Sequence, residues 1–363
     1  MDRRHFLQAA AAAGLVAAAR PTHIAQAATE GGGIPLAEGR PLRRFEIHHS
    51  IELAGKGGNR GPALLWVPMA QTAGDYQRAH APSWSSTADR AALLHEPVYG
   101  AGILRADWDG ADPWMVELVQ IVETCDRQPG DQEARATDPA ELRLYRQPTP
   151  SMPTDGIVRE TAMRIVAGID APEARLRAIY DWVVDNSFRV AATRGCGLGN
   201  IATMLETGYL GGKCADINGL MVGLARAAGF PAPEVYGIRV ADSALAKSLG
   251  RSGDVSKARH CRAEVHLDSR GWFAVDPADV RKVMLEEGLG LGDPHVAALR
   301  ERLFGSWEMN WIGYNSARDF QPAEAPHPLG FLMFPYAVTA GFEPDCLDPA
   351  TFRYSITARE LPA

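Results

Sequence analysis

Cys214 has the residue type and the sequence context of a catalytic nucleophile. It follows the Gly211-Gly212 pair, and a helical pattern runs from it to a stop at Gly229, so the sequence predicts Cys214 at a helix N-terminus. At that position, unpaired backbone N–H groups and the helix dipole favour thiolate over thiol. The same N–H groups could stabilise a developing oxyanion. The alternative is a buried structural cysteine that packs as a small apolar side chain.

A nucleophilic thiol needs a base, and the base needs a group that orients it. His260 lies near the start of a predicted strand, and Asp276 ends the next predicted strand after a turn at residues 268–271. Residues near the outer ends of two paired antiparallel strands lie side by side. We therefore predict His260 as the base and Asp276 as the orienting carboxylate. Asp279 is the alternative orienting group, and Asp276 is preferred because it directly ends the strand.

The histidines of this region do not have the spacing of a metal site. His260, Glu264 and His266 match neither the helical H-E-x-x-H pattern nor a zinc finger, so neither a metal nor another cofactor is predicted. His266 would share a strand face with His260, but it would lie about 20 Å away at roughly 3.3 Å per residue. That separation is too long for His266 to act at the same site.

The N-terminal segment Met1–Ala27 has the features of an export signal. Arg3 and Arg4 precede a short Ala-rich stretch, and Ala25-Gln26-Ala27 matches an A-x-A cleavage site. The arginine pair resembles a twin-arginine signal. A membrane anchor would need roughly 20 strongly apolar residues. We therefore predict a periplasmic or secreted protein without stable membrane insertion.

The sequence contains five cysteines, an odd number. In an exported protein this leaves at least one thiol unpaired unless two chains are linked. Cys196 and Cys261 could pair with each other or with Cys214, and pairing with Cys214 would switch the nucleophile off. The sequence leaves the pairing open for Cys125, Cys196, Cys261 and Cys346.

Composition and charge limit the class of protein. The 363 residues are 46% hydrophobic and 22% charged, which is typical of globular domains, and the length suffices for two cores. The formal net charge of −7 gives no basic field of the kind that binds nucleic acid. Nucleic acid is therefore excluded as an expected partner.

The pattern of elements predicts an α+β protein with a β-rich part followed by a mixed part. Alternating strand patterns, such as Leu42–Leu53, predict a β-sandwich-like domain over residues 40–146. The proline-rich residues 147–154 are predicted to be a linker. Helical and then strand patterns predict a catalytic core over residues 155–285, and residues 286–363 are predicted to be a C-terminal extension packed on it.

Three motifs together resemble the bacterial transglutaminase-like superfamily: Gly211-Gly212-Lys213-Cys214, the His260-Cys261-Arg262 run and the Gly271–Pro277 run. The resemblance covers roughly residues 155–280 and implies a papain-like core, with a helix-borne cysteine on an antiparallel sheet. It implies Cys214, His260 and Asp276 as the catalytic residues. The β-rich part is similar to the N-terminal domain often found in such proteins. Two departures are Cys261 and Arg262 directly after His260, and the lack of an identifiable side-chain oxyanion donor before Cys214.

The predicted function is cysteine-dependent acyl transfer on an amide bond through a thioester intermediate. Release to an amine would make the chain a transglutaminase-like transferase, whereas release to water would make it a cysteine protease or amidase. The expected partners are peptides or proteins, including Gln side chains and cell-wall peptides. A non-catalytic binding or assembly module is the other alternative. The sequence leaves the natural substrate and the oligomeric state open.

Overall fold

The computed structural model describes residues 23–26, 40–53, 61–110, 113–128 and 138–362. The α-helices in these residues are α1 Pro139–Leu144, α2 Gly156–Ile165, α3 Pro172–Asn186, α4 Ile201–Thr207, α5 Cys214–Ala227, α6 Pro277–Glu286 and α7 Pro294–Arg302. The strands are β1 His23–Gln26, β2 Arg43–Leu53, β3 Ala63–Pro68, β4 Gln77–Ala79, β5 Ser83–Ser86, β6 Arg90–His95, β7 Gly102–Trp108, β8 Trp114–Thr124, β9 Phe188–Arg189, β10 Gly211–Gly212, β11 Glu234–Arg239, β12 Gly253–Asp254, β13 Arg259–Leu267, β14 Gly271–Val275, β15 Trp311–Asn315, β16 Arg318–Phe320, β17 Leu329–Phe331, β18 Tyr336–Thr339 and β19 Phe352–Leu361.

Two antiparallel sheets combine strands from both ends of the chain. The larger sheet has the order β1-β5-β8-β2-β19-β12, with β4 also paired to β8, and the smaller has the order β18-β3-β7-β6. Strand β19 pairs with β2 along its length, from the Phe352–Leu53 pair to the Leu361–Arg44 pair. Strand β18 likewise pairs with β3. The last part of the chain therefore completes both sheets.

The two sheets share one apolar cluster, because alternate residues of each strand point toward the other sheet. Ile51 and Val116 of the larger sheet contribute to this cluster, as do Leu65 and Leu104 of the smaller sheet. The burial of β2 alternates along the strand, as the predicted half-buried strand requires.

A third antiparallel sheet, with the order β14-β13-β11-β15, carries the candidate site. Helix α5 lies against β13 and is also contacted by α2, α3, α4 and α6. Every residue of α5 is buried, because its sequence is apolar or small on nearly all sides. The fold is thus α+β with antiparallel sheets, as the order of patterns predicts.

Residues 147–154, predicted to be a linker, contain a tight turn. Thr149 and Met152 exchange backbone hydrogen bonds of 2.9 and 3.1 Å, and Met152 is fully buried in the helical core. The predicted boundaries of the parts of the chain stay predictions.

Most of the predicted export signal lies outside the described residues. Its described part, β1, pairs with β5. Among the residues that the structure describes, no helix is long and apolar enough to cross a membrane.

Candidate active site

Cys214 is the first residue of α5, as the helical pattern predicts. The glycine pair before it, expected to form a turn, instead forms the short strand β10, which pairs in parallel with β9. Its side chain is buried against the helical core. Within the described part of the chain, the amide N–H of Cys214 donates to no backbone or side-chain acceptor, whereas Ala215 N–H donates to Cys196 O at 3.0 Å. The Cys214 amide is therefore a candidate oxyanion donor beside the thiol.

Asp216 ties the residue before the nucleophile to the loop that precedes α4. Its carboxylate accepts hydrogen bonds of 2.9 Å from the amide groups of Lys213, Leu198 and Gly199. A Cβ at Gly212 would lie 2.2 Å from Asp216 Oδ2, so glycine is needed for this close approach. The acidic residue in the first turn also complements the helix dipole.

The thiol of Cys214 lies among groups that favour the thiolate. The neighbouring thiols of Cys196 and Cys261 lower the pKa of Cys214 well below its ordinary value, burial opposes them, and His260 lowers it further. The pKa values of Cys196 and Cys261 are raised for the reciprocal reasons, by interaction with Cys214 and by burial. The Cys196 thiol donates to Arg259 O at 3.8 Å and the Cys261 thiol to Glu234 Oε1 at 3.5 Å. As polar neighbours, the two thiols favour a negative charge on Cys214.

One ring nitrogen of His260, Nε2, faces two buried carboxylates. Its Nε2 is 2.7 Å from Asp276 Oδ2 and 3.3 Å from Asp279 Oδ1. Burial and the nearby Arg239 lower the pKa of His260, but Asp279 and Asp276 raise it more, so that the net pKa is above its ordinary value. With Nε2 engaged by carboxylate, Nδ1 is the ring nitrogen left for the thiol.

The two carboxylates differ in their partners. Burial and Asp279 raise the pKa of Asp276, and His260 opposes them. Burial also raises the pKa of Asp279, but Arg239, His260 and Arg262 lower it well below its usual range. Arg239 Nη2 lies 2.5 Å from Asp279 Oδ1. Asp276 has the shorter contact with His260, while Asp279 is the counterion of Arg239.

Two further side chains hold Asp276, which is the N-cap of α6. Asn218, one turn after Cys214 in α5, donates to Asp276 Oδ1 at 3.1 Å. Arg262 Nε lies 3.6 Å from Asp276 Oδ2. The guanidinium group of Arg262 in turn contacts the indole rings of Trp307 and Trp311. Orientation of the carboxylate therefore depends on α5, β13 and the segment before β15.

His260, Asp276 and Asp279 place possible metal-ligand atoms within 4.8 Å of one another. Arg239 is ion-paired to Asp279, and Arg262 lies beside Asp276. Two cations this close would repel a metal ion. The chemistry of this donor set fits an ion-pair network around an imidazole better than a metal centre.

A cavity of about 410 Å³ opens on Cys214 and His260. Its wall includes the aromatic side chains Phe334, Phe352 and Tyr354. A cavity of this volume is of the size that binds small ligands or single side chains. Apart from Cys214 and His260, the titratable residues of this wall include seven basic side chains and no acidic one. The basic residues are Arg189, Lys213, Arg239, Lys257, Arg259, Lys282 and Arg353.

This site lies within a recognised family region. Residues 159–277 match the family model described as the transglutaminase-like superfamily. The chain is 35% identical over 338 residues to an uncharacterized protein of Haemophilus influenzae, covering 87% of this chain and 91% of that protein. The chain belongs to one family with that protein, and its residues 159–277 are similar to the transglutaminase-like superfamily.

Two solved structures are similar to the chain at low sequence identity. A proposed cysteine protease of Cytophaga hutchinsonii has a TM-score of 0.52 at 14% identity, covering 89% of this chain and 92% of that chain. The periplasmic domain of TgpA from Pseudomonas aeruginosa has a TM-score of 0.35 at 16% identity, covering 68% of this chain and 91% of that chain. The first resemblance extends over nearly the whole chain.

The structure brings together the three residues singled out in the sequence and adds others. Asn218 and Arg239 were missed, because their roles depend on contacts between elements far apart in the chain. The sequence considered Cys196 and Cys261 as disulfide partners of Cys214, and the structure has all three as free thiols. Asn218 had one sequence signal: it is four residues after Cys214, one helical turn away. His266 lies at the other end of β13, against the ring of Trp272.

Proposed function

We propose that the chain catalyses acyl transfer from an amide through a thioester on Cys214. The observation that carries this proposal is the His260–Asp276 contact of 2.7 Å, buried beside a helix-terminal thiol. In this reading Cys214 is the nucleophile, His260 the acid and base, and Asp276 the group that orients the imidazole.

The reaction begins from a thiolate and an imidazolium. The thiolate of Cys214 attacks the amide carbonyl, and the Cys214 amide N–H donates to the developing oxyanion. His260 then gives its proton to the leaving nitrogen as the C–N bond breaks, which releases an amine and leaves a thioester. Neutral His260 next takes a proton from the incoming water or amine, and the thiolate leaves as the new bond forms.

The acceptor determines whether the chain is a transferase or a hydrolase. Water would release a carboxylic acid, which is the chemistry of a cysteine protease or amidase, whereas an amine would form a new amide. The match of residues 159–277 to the transglutaminase-like superfamily supports acyl transfer to an amine, and the likeness to a proposed cysteine protease supports the hydrolytic alternative.

A mixture of amide peptides tests the proposal. The protein is incubated with a Gln-containing peptide pool, with and without a fluorescent primary amine, and the products are identified by mass spectrometry. Amine incorporation supports the transferase, and deamidated or cleaved peptides without incorporation support the hydrolase. Both products must vanish in Cys214→Ala.

Alkylation separates a catalytic site from a binding module. Iodoacetamide is applied across a pH series to the wild type and to His260→Ala, and the labelled cysteine is mapped. Catalysis is supported if, in the wild type, the Cys214 thiolate forms at a pH well below the ordinary thiol pKa of about 8.5. In His260→Ala, the thiolate should then form only at a higher pH. A Cys214 that reacts identically in both proteins would falsify the proposed pair and favour a non-catalytic module.

We also propose that the chain is exported and acts on peptides or proteins outside the cytoplasm. The support is the Arg3-Arg4 pair and the A-x-A site in the sequence. Cell fractionation of a C-terminally tagged chain tests export. Retention of Arg3→Lys/Arg4→Lys in the cytoplasm is expected, and equal export of both forms would argue against the twin-arginine route.

A further inference from the structure

The wall of the cavity at Cys214 has a charge opposite to that of the whole chain. The formal net charge is −7, yet seven Lys or Arg residues and no Asp or Glu line this cavity. An adjoining cavity of about 560 Å³ shares five of these cations: Arg189, Arg239, Lys257, Arg259 and Lys282. Glu286 and Glu287 also line the second cavity, but cations outnumber them there, so the basic surface continues beyond the nucleophile.

Several of these cations already have carboxylate partners. Arg239 is paired with Asp279, and Arg353 with Glu52. Arg189 and Lys282 both lie near Glu286, at 3.6 and 3.9 Å. These four cations are at least partly neutralised by residues of the chain itself.

Lys213, Lys257 and Arg259 differ from those four. None of them has a carboxylate within ion-pair distance among the residues that the structure describes. Lys213 directly precedes the nucleophile, and Lys257 is exposed at the rim of the cavity. Three uncompensated cations around one cavity raise the local concentration of anions.

Arg259 lines this cavity, and one nitrogen of its guanidinium group has no hydrogen-bond partner. The residue is 8% exposed, its Nε donates to Met333 O at 3.3 Å, and its Nη1 donates to Ser256 O. Its Nη2 is buried and has no hydrogen-bond partner. Because a buried donor without a partner is costly, a ligand that supplies an acceptor would gain free energy there.

The rings around Arg259 hold its guanidinium group in place. The group lies 5.2 Å from the ring centre of Phe334 and 5.0 Å from that of Tyr354, and both rings line the cavity. A planar guanidinium fixed between rings suits recognition of a carboxylate better than a mobile ammonium does.

We propose that the acyl donor carries a carboxylate close to the scissile amide, bound by Arg259 and attracted by Lys213 and Lys257. This inference rests on the proposed function and names its substrate class, an anionic peptide. The carboxylate can belong to an acidic side chain or to the C-terminus of the peptide, and the experiment distinguishes these two sources.

The first experiment compares two alkylating agents that differ by one charge. Iodoacetate carries a carboxylate and iodoacetamide is its neutral amide, so the ratio of their rate constants at Cys214 reports attraction of the anion. We expect a ratio on the order of ten times that of free glutathione, falling toward the glutathione ratio as salt is raised from about 0.01 M to about 1 M. A ratio equal to that of glutathione at low salt overturns the proposal.

Variants locate the attraction. Lys257→Gln should lower the ratio several-fold, while Arg159→Gln, an exposed cation on α2, should leave it unchanged. Arg259→Lys keeps the positive charge but loses the planar guanidinium group with its paired N–H donors. The ratio of alkylation rates should therefore persist, while protection of Cys214 by bound carboxylates should fall. Equal ratios in the wild type and Lys257→Gln would contradict the assignment of this surface.

Three small amides identify the source of the carboxylate. N-acetylisoglutamine has only a side-chain carboxylate, N-acetylglutamine has only the α-carboxylate, and N-acetylglutaminamide has neither. Protection of Cys214 against iodoacetamide by the first points to an acidic side chain, and protection by the second points to a peptide C-terminus. Equal protection by all three contradicts the proposal.

The outcome separates this inference from the proposed function. A Cys214 that is inert to both alkylating agents contradicts the catalytic proposal. In that case the shift in melting temperature caused by each of the three amides shows whether the protein binds a carboxylate. If only the carboxylates raise the melting temperature, the anion site is present without catalysis. A reactive Cys214 with no preference for anions leaves the catalytic proposal intact and removes this one.

Discussion

Asn218 donates a hydrogen bond of 3.1 Å to Asp276 Oδ1, while the other oxygen of the same carboxylate faces His260. The amide also donates to Cys261 O at 2.8 Å and accepts from Ala278 N–H at 3.1 Å. One side chain on the nucleophile's helix thus fixes the orienting carboxylate, the strand that carries His260 and the start of α6. Asn218 is a positioning residue.

Replacing Asn218 by Ala should slow turnover while the chain remains folded. Loss of a hydrogen bond to a buried charged group corresponds to about 1.5–3 kcal/mol, or roughly 10- to 100-fold in kcat. The pKa of Asp276 should rise further, so the alkaline limit of activity set by His260 should move to lower pH. Steady-state kinetics across pH checks both effects. Asn186→Ala, on the exposed end of α3, is the control.

Cys196→Ala should raise the pKa of Cys214. The Cys196 thiol is the largest influence that lowers this pKa, and alanine removes it. The midpoint of iodoacetamide labelling against pH should therefore move upward, and Cys196→Ser should restore part of the shift because a hydroxyl can donate. Cys125→Ala, in a separate apolar cluster, is the matched control. An unchanged midpoint in Cys196→Ala would count against the thiol network.

Arg318→Ala should destabilise the folded chain strongly. Arg318 is buried, its Nη1 lies 2.8 Å from the buried Glu234, and its Nη2 donates to Gly199 O at 2.7 Å. Removing one partner of a buried ion pair leaves an uncompensated charge and costs about 3–5 kcal/mol. Urea unfolding measures this change. Arg359→Ala, which breaks an exposed pair with Glu46, should cost less than about 1 kcal/mol.

His49 should make the folded chain less stable in mild acid. It is buried against Tyr314, and burial, with Arg259 and His48 nearby, lowers its pKa to about 3. Because the folded pKa is lower than the unfolded value of about 6.5, the unfolded state binds the extra proton as pH falls through 6.5, and stability is lost down to about pH 3.

The measurement is urea unfolding at two pH values in the wild type and in His49→Phe. Between about pH 7 and about pH 5, His49 alone should cost the wild type about 2 kcal/mol. His49→Phe keeps a ring of similar size and should remove that part of the pH dependence. A variant with the same loss as the wild type would show that other groups cause it.

The sequence alone determined the local placement of the chemical groups. The helical pattern that ends at Gly229 placed Cys214 at the start of α5, because periodicity and stop residues are local signals of helix ends. The hairpin of β13 and β14 placed His260 and Asp276 toward one end of neighbouring strands, because a short turn fixes the register of adjacent strands. Strand β2 was likewise predictable from its alternation.

Only the tertiary structure decided which distant residues meet. The pairing of β19 with β2, the thiols beside Cys214, the contact of Asn218 with Asp276 and the basic wall with Arg259 all join segments far apart in the chain. Local patterns cannot specify such contacts, because they depend on how complete helices and sheets pack. The sequence could therefore suggest the nucleophile and its partners, whereas the charge of the cavity, and with it the proposed substrate class, follows from packing.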